Sequence, residues 1–270
     1  MIIGLDHFLI LTTDIEAGVA AYETLLGRPA SVRLEDDGAA TAVFDLGNTS
    51  VELMAPVGDT GMAPRLREIL EAGGEGLKSI AFATDDLEGE ARTLERRGLS
   101  PGDITHGARL RRFRLSDDRM AGIKAFVVEP KPLEASADDR PGAVSGLDHI
   151  VVTTPNPDRA AALYGARLGL PLRLDRVIEQ FSTRFLFFKT GGVIFEVVSS
   201  TKDGVDPSSP DSLMGLTYET KDLDAAHARL SATDLDISGM RKGRKPGSRV
   251  FTVRNGTLGV PTLFISHERD

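Results

Sequence analysis

GLDHFLILTTDIEAGVAAYETLLGRP, residues 4–29, returns as GLDHIVVTTPNPDRAAALYGARLGLP at residues 146–171. Both copies open on Gly-Leu-Asp-His, run on through an apolar stretch and a helical one, and close on Gly shortly before Pro. A repeat of this kind identifies a duplicated structural unit and governs every later assignment. In each copy the residues after the histidine, Phe8 to Ile10 and Ile150 to Val152, form a β-branched or aromatic run of strand length. In the first copy Asp14 can cap a helix whose Ile15, Val19, Tyr22 and Leu26 share one face before Gly27 ends it. In the second copy Asn156 is the cap, Pro157 takes the first helical position and Gly169 terminates.

The strand-then-helix pattern occurs twice more, as LKSIAFATDDLEGEARTLERRG (77–98) and LMGLTYETKDLDAAHARLSATD (213–234). Strand-like runs follow the helices: SVRLE, TAVFDLG and SVELMA after the first, LRLDRVIE, RFLFFKT and VIFEVVS after the third. The chain therefore reads as four β-α-β-β-β units, an α+β fold in which one unit cannot cover its own sheet and two must pair. APRLREILEAGG (63–74) adds a connecting helix between the first two units. Between the copies, PKPLEASADDRPGAVS (130–145) has the proline-rich, small and acidic makeup of an exposed linker. The expected organisation is a domain over residues 1–130, a linker over 131–145 and a second domain over 146–270.

With 41% hydrophobic and 27% charged residues in 270, the chain is globular and long enough for two modest cores. A net charge of −8 argues against nucleic acid or an anionic membrane as partner. No apolar run approaches the roughly 18 residues of a membrane span, and the N-terminus lacks a basic flank and a cleavage site, so a cytoplasmic location is expected. Cysteine is absent, which removes disulfides, thiolate ligands and cysteine nucleophiles, and leaves His, Asp and Glu as the ligands for any metal. Phosphate-binding loops, dinucleotide fingerprints and the Gly-x-Ser-x-Gly elbow are also missing, so no nucleotide cofactor and no serine hydrolysis are expected.

Four such units, with Asp-His on the first strand and an apolar-Glu-apolar triplet on the fourth, resemble the vicinal oxygen chelate superfamily. That superfamily includes glyoxalase I, methylmalonyl-CoA epimerase, extradiol dioxygenases and bleomycin-resistance proteins. The stretch LGNTSVELMAP with APRLREILEAGGEGLKSIAFATDDLE is most similar to the epimerases, although Lys78 and Ser79 stand where those enzymes ordinarily carry histidine. The resemblance implies units paired into two curved eight-stranded sheets, each holding a small molecule in its hollow. It also implies a divalent metal (Zn, Fe, Mn, Co or Ni) on His7 and Glu52 in the first half and on His149 and Glu196 in the second. Ser79, Val127, Gly215 and Ile265 fill the corresponding slots of the even units and cannot ligate. Glu129 and His267, two residues beyond Val127 and Ile265, are the nearby candidates on the same strand face.

Each His–Glu pair admits a simpler reading, an imidazole hydrogen-bonded to a buried carboxylate. As chemistry, Glu52 or Glu196 would ligate the metal or act as the base that removes a proton beside a carbonyl. RLRRFRL (109–115) and MRKGRKPGSRVF (240–251) concentrate positive charge at equivalent places. Arg111 and Arg249, each two residues before a phenylalanine, are the candidates to grip a carboxylate or phosphate at the rims of the hollows. His106 and His227 read as solvated. The expected function is a metal-assisted isomerase, lyase or dioxygenase of small anionic metabolites. Its alternative is a metal-free binding protein of the bleomycin-resistance kind, and a homodimer is a candidate assembly in either case.

Overall fold

The computed structural model describes residues 1–107, 109–131, 140–202 and 204–268. The first half runs β1 (Ile2–Leu11), α1 (Ile15–Leu26), β2 (Val32–Asp36), β3 (Ala39–Asp45), β4 (Ser50–Pro56), α2 (Ala63–Gly73), β5 (Gly76–Thr84), α3 (Leu87–Arg96), β6 (Thr105–His106), β7 (Arg111–Arg114) and β8 (Ala125–Val128). The second half runs β9 (Val144–Thr153), α4 (Pro157–Ala160), β10 (Leu172–Ile178), β11 (Thr183–Thr190), β12 (Val193–Ser200), β13 (Ser212–Thr220), α5 (Leu223–Ser231), β14 (Arg241–Lys242), β15 (Ser248–Val253) and β16 (Thr262–His267). The strands form two curled eight-stranded sheets of the same order, β2-β3-β4-β1-β5-β8-β7-β6 and β10-β11-β12-β9-β13-β16-β15-β14. Four β-α-β-β-β units and the connecting helix α2 are thus present as the sequence pattern requires. Most of the expected linker, residues 132–139, lies outside the described residues.

One local device starts the helix of every unit. A buried threonine at the end of the first strand (Thr12, Thr84, Thr154, Thr220) accepts, at its hydroxyl oxygen, the backbone N–H of the residue two places on. The Asp or Asn at that position then accepts backbone N–H groups of the first helical turn: Asp14 from Glu16 and Ala17, Asp86 from Gly89, Asn156 from Arg159, Asp222 from Ala225. Each cap satisfies donors that the helix leaves unpaired. The third unit departs from its siblings after one turn. Residues Ala161–Arg167 continue as a π-helix, with Leu168 N–H donating to Leu163 O at 2.9 Å. The wider turn buries the consecutive Leu163 and Tyr164 together, at 3% and 0% exposure.

The contacts gather into two compact units. One comprises Met1–His7, Ser79–Pro132 and His149–Met214. Its core is aromatic: Phe195 lies 4.8 Å from Tyr164 and 6.1 Å from Phe82, centroid to centroid. The other comprises Phe8–Lys78, Leu133–Asp148 and Gly215–Asp270, and is built on Tyr22 against Phe44 and on Phe264 stacked with Phe251. In that unit Arg229 donates to the carbonyls of Thr24 and Leu25 in the last turn of α1, and burial lowers its pKa to about 10.

Glu75, just before β5, accepts from Thr12 Oγ1 (2.7 Å), Thr13 N–H (2.7 Å) and Thr13 Oγ1 (2.8 Å). Burial pushes its carboxyl up, but the Thr13 amide and the two hydroxyls outweigh that and hold it below the usual value of 4.5. A depressed folded-state pKa contributes stability that is present above the unfolded value and is lost as pH falls through the folded one. Glu75→Gln is therefore expected to lower the thermal midpoint at pH 7 and to flatten its fall below pH 4.5. Melting curves of both proteins between pH 3 and 7 check this, and parallel acid limbs would refute it.

Candidate functional site

In the first compact unit β9 and β12 run side by side and parallel, with Ile194 opposite His149, Phe195 opposite Ile150 and Glu196 opposite Val151. Paired residues project to the same side, and successive residues alternate. Ile150 and Phe195 thus face the helices, where Phe195 meets Tyr164. His149, Val151 and Glu196 share the face turned away from them. There β11 adds Phe187 opposite Glu196 and Phe185 opposite Val198. His149 Nε2 lies 3.3 Å from Glu196 Oε2, and the two side chains keep 19% and 13% of their surface. The result is an imidazole–carboxylate pair on an aromatic and aliphatic floor, accessible enough to meet a ligand and dry enough to strengthen a polar contact with it.

The first-half residues are more deeply buried. His7 is buried, with Nδ1 2.6 Å from Asp6 Oδ1. Glu52 lies in the other compact unit, 8% exposed and opposite Val43 on the adjacent strand. Strand alternation puts Met54 on the same face as Glu52. Met54, together with Leu11 and Ala39, is packed beneath Leu66, Ile69 and Leu70 of α2. The connecting helix therefore covers that face in the first half, while the described residues of the equivalent connection, 201–211, contain no helix.

Arg111 and Arg249 occupy equivalent places, on the helix-covered face. Arg111 pairs with Glu88 in the first turn of α3 and, at 2.9 Å, with Glu129. Arg249 makes a two-point pair with Asp224 in the first turn of α5, at 2.8 and 2.9 Å. Each thus ties a strand to the start of its unit's helix, and the partner carboxylates of Glu88 and Asp224 are held below their usual pKa by these hydrogen bonds. The rim position expected of these arginines is not where their guanidinium groups lie.

Two further expectations need correction. Val127 pairs with Phe82 and Phe113, so it belongs to the helix-covered face, and Glu129 follows it there. Phe126 and Val128, clustered with Ala81 and Leu110, are the residues on the opposite face. His267, two residues beyond Ile265 on the same strand face, has its Nε2 2.6 Å from Asp148 Oδ2. His227 is half-buried rather than fully solvated: its ring stands edge-on to Phe251 at 5.1 Å and its Nε2 lies 3.1 Å from Ser238 O.

A metal ion held by protein needs three or four ligands at about 2.0 to 2.2 Å. His149 and Glu196 supply two, at a separation compatible with one ion. Among the described residues no group of three or more His, Asp or Glu is arranged to complete such a shell. Among the described residues, the donor set does not fit a resident metal.

Family models described as Glyoxalase/Bleomycin resistance protein/Dioxygenase superfamily match residues 6–114 and 146–256. The chain is 28% identical over 97 residues to the human mitochondrial methylmalonyl-CoA epimerase, covering 35% of this chain and 54% of that protein. It therefore spans about half the length of that relative. It is 31% identical over 113 residues to the ethylmalonyl-CoA/methylmalonyl-CoA epimerase of Cereibacter sphaeroides, covering 40% of this chain and 83% of the relative. Among solved structures, a mutant of 4-hydroxymandelate synthase from Streptomyces coelicolor superposes with a TM-score of 0.73 at 13% identity, over 99% of this chain and 94% of that one. This last likeness speaks to fold alone. No helix among the described residues is long and apolar enough to cross a membrane.

Proposed function

Because this chain belongs to the glyoxalase/bleomycin resistance protein/dioxygenase superfamily, we propose that its second half binds a small oxygenated, anionic metabolite against His149 and Glu196 and moves a proton on it. The observation that carries this reading is the 3.3 Å imidazole–carboxylate pair, part-exposed on a face that no helix of the described connection covers. Glu196 takes a proton from the carbon beside a carbonyl, and His149 Nε2 orients the carboxylate and stabilises the charge that the proton transfer leaves behind. Phe185 and Phe187 keep the floor apolar, which raises the strength of both contacts. A carbon acid of this type is the 2-position of a malonyl thioester, the substrate class named for the epimerase relatives. Glu52 has the same residue type but is only 8% exposed, on a face where Met54, two residues on, packs against α2.

No step of this proton transfer passes through a metal. Turnover of methylmalonyl-CoA and of a panel of β-dicarbonyl acids, measured before and after exhaustive treatment with a chelator, tests it. Unchanged rates are expected. Activity that vanishes and returns with added Zn, Fe, Mn, Co or Ni would overturn it and assign His149 and Glu196 as ligands of a metal.

A further inference from the structure

We infer that the first compact unit carries a second site, for a phosphate ester of a small metabolite, in a cleft of about 520 Å³ between the loop at residues 118–122 and the π-helix. Arg119, Arg159 and Arg167 line it, in a chain whose net charge is −8, and Asp118 is the one acid among the lining residues. The guanidinium groups of Arg119 and Arg167 have no ion-pair partner among the described residues. Arg159 is spoken for on one side only: Nη2 meets Asp211 at 2.6 Å and Ser209 O at 2.8 Å, Nη1 meets Pro207 O at 3.2 Å, and Nε is buried without a partner. An unmet buried donor beside two unpaired arginines calls for an acceptor with several charged oxygens. Arg97, whose Nη1 donates to Arg167 O at 3.1 Å, adds a further positive charge next to the cleft.

The walls are held in place. Asp211, whose side chain has no exposed surface, is clasped by Arg159 and by the Tyr164 hydroxyl at 3.3 Å, and its own N–H donates to Ala121 O at 2.7 Å. Ala121 holds φ at 52°, in the left-handed region that disfavours a side chain, and Gly122 follows at 94° with room for no Cβ beside Pro210. The opposite wall, Ala162 and Leu163, belongs to the π-helical segment that distinguishes this unit from the other three, and such segments recur at binding sites. The π-helix lies on the helix-covered face of the sheet, away from Glu196, so this inference stands independently of the proton-transfer reading. Ala162, Leu163 and Pro210 line the cleft beside the arginines and offer apolar surface to an organic group next to the phosphate, which is why an ester is assigned.

Calorimetric titration of the full chain with phenyl phosphate and with orthophosphate tests it, using the wild type and an Arg119→Ala/Arg167→Ala double variant checked for native circular dichroism. Phenyl phosphate is expected to bind several-fold more tightly than orthophosphate. The double variant is expected to lose at least about tenfold in affinity, the equivalent of one charge-assisted hydrogen bond. Failure of both probes to bind at millimolar concentration, equal affinity for the two, or an unchanged affinity in the double variant would overturn the assignment.

Discussion

Glu196→Gln is expected to slow proton removal from a bound carbonyl compound by about 10²- to 10⁴-fold, the contribution of a positioned general base. The amide keeps the volume and can still hydrogen-bond His149 but cannot accept the proton, so the loss should appear in kcat with the ligand affinity nearly retained. His149→Gln should cost less, since it removes the partner and leaves the base. Glu52→Gln should leave the rate nearly unchanged, because Met54 beside it lies under α2. Steady-state kinetics of the three variants distinguish these outcomes. A Glu52 variant as slow as the Glu196 variant would place the chemistry in the first half.

The largest loss of stability is expected from Arg159→Met. Asp211 has no exposed side-chain surface, and Arg159 is its only cationic partner among the described residues. Removing one member of a buried pair strands the other charge, at about 3 to 5 kcal/mol. The Arg159 side chain keeps 28% of its surface beside the cleft, so water can enter and the lower end of that range, about 3 kcal/mol, applies. The carbonyls of Pro207 and Ser209 lose a donor in the same substitution. Urea titration of both proteins measures the difference, and a shift under about 1 kcal/mol would mean that Asp211 finds another partner or a proton.

The fold was legible because its signals are local and repeated. Gly-Leu-Asp-His recurs, a Thr-x-Asp or Thr-x-Asn cap starts the helix of each of the four units, and the fourth strands of the odd units place Glu between apolar residues. The His149–Glu196 pair follows from the same alternation. Orientation within the even units was harder to read. Ala125 to Val128 is apolar throughout, so no polar residue marks its outward side, and the face of Val127 emerges only from its pairing with Phe82. The arginines did carry a signal: Arg111 and Arg249 stand two residues before Phe113 and Phe251, and a side chain two places from a fully buried phenylalanine shares its face. The positive charge of the segments outweighed that cue. The π-helix had no such cue, since a single extra residue per turn leaves the apolar spacing of 161–167 nearly intact, and the packing of Leu163, Tyr164 and Asp211 decides it.

The most direct test of the account is to incubate the wild-type protein with methylmalonyl-CoA in deuterium oxide, chelator present, and to follow the 2-position by proton magnetic resonance. The account predicts replacement of that proton by deuterium, at a rate that Glu196→Gln suppresses by at least about 10²-fold. A ligand that binds and is displaced unchanged, with its proton retained, would contradict it and leave the chain a binding protein that breaks no bond.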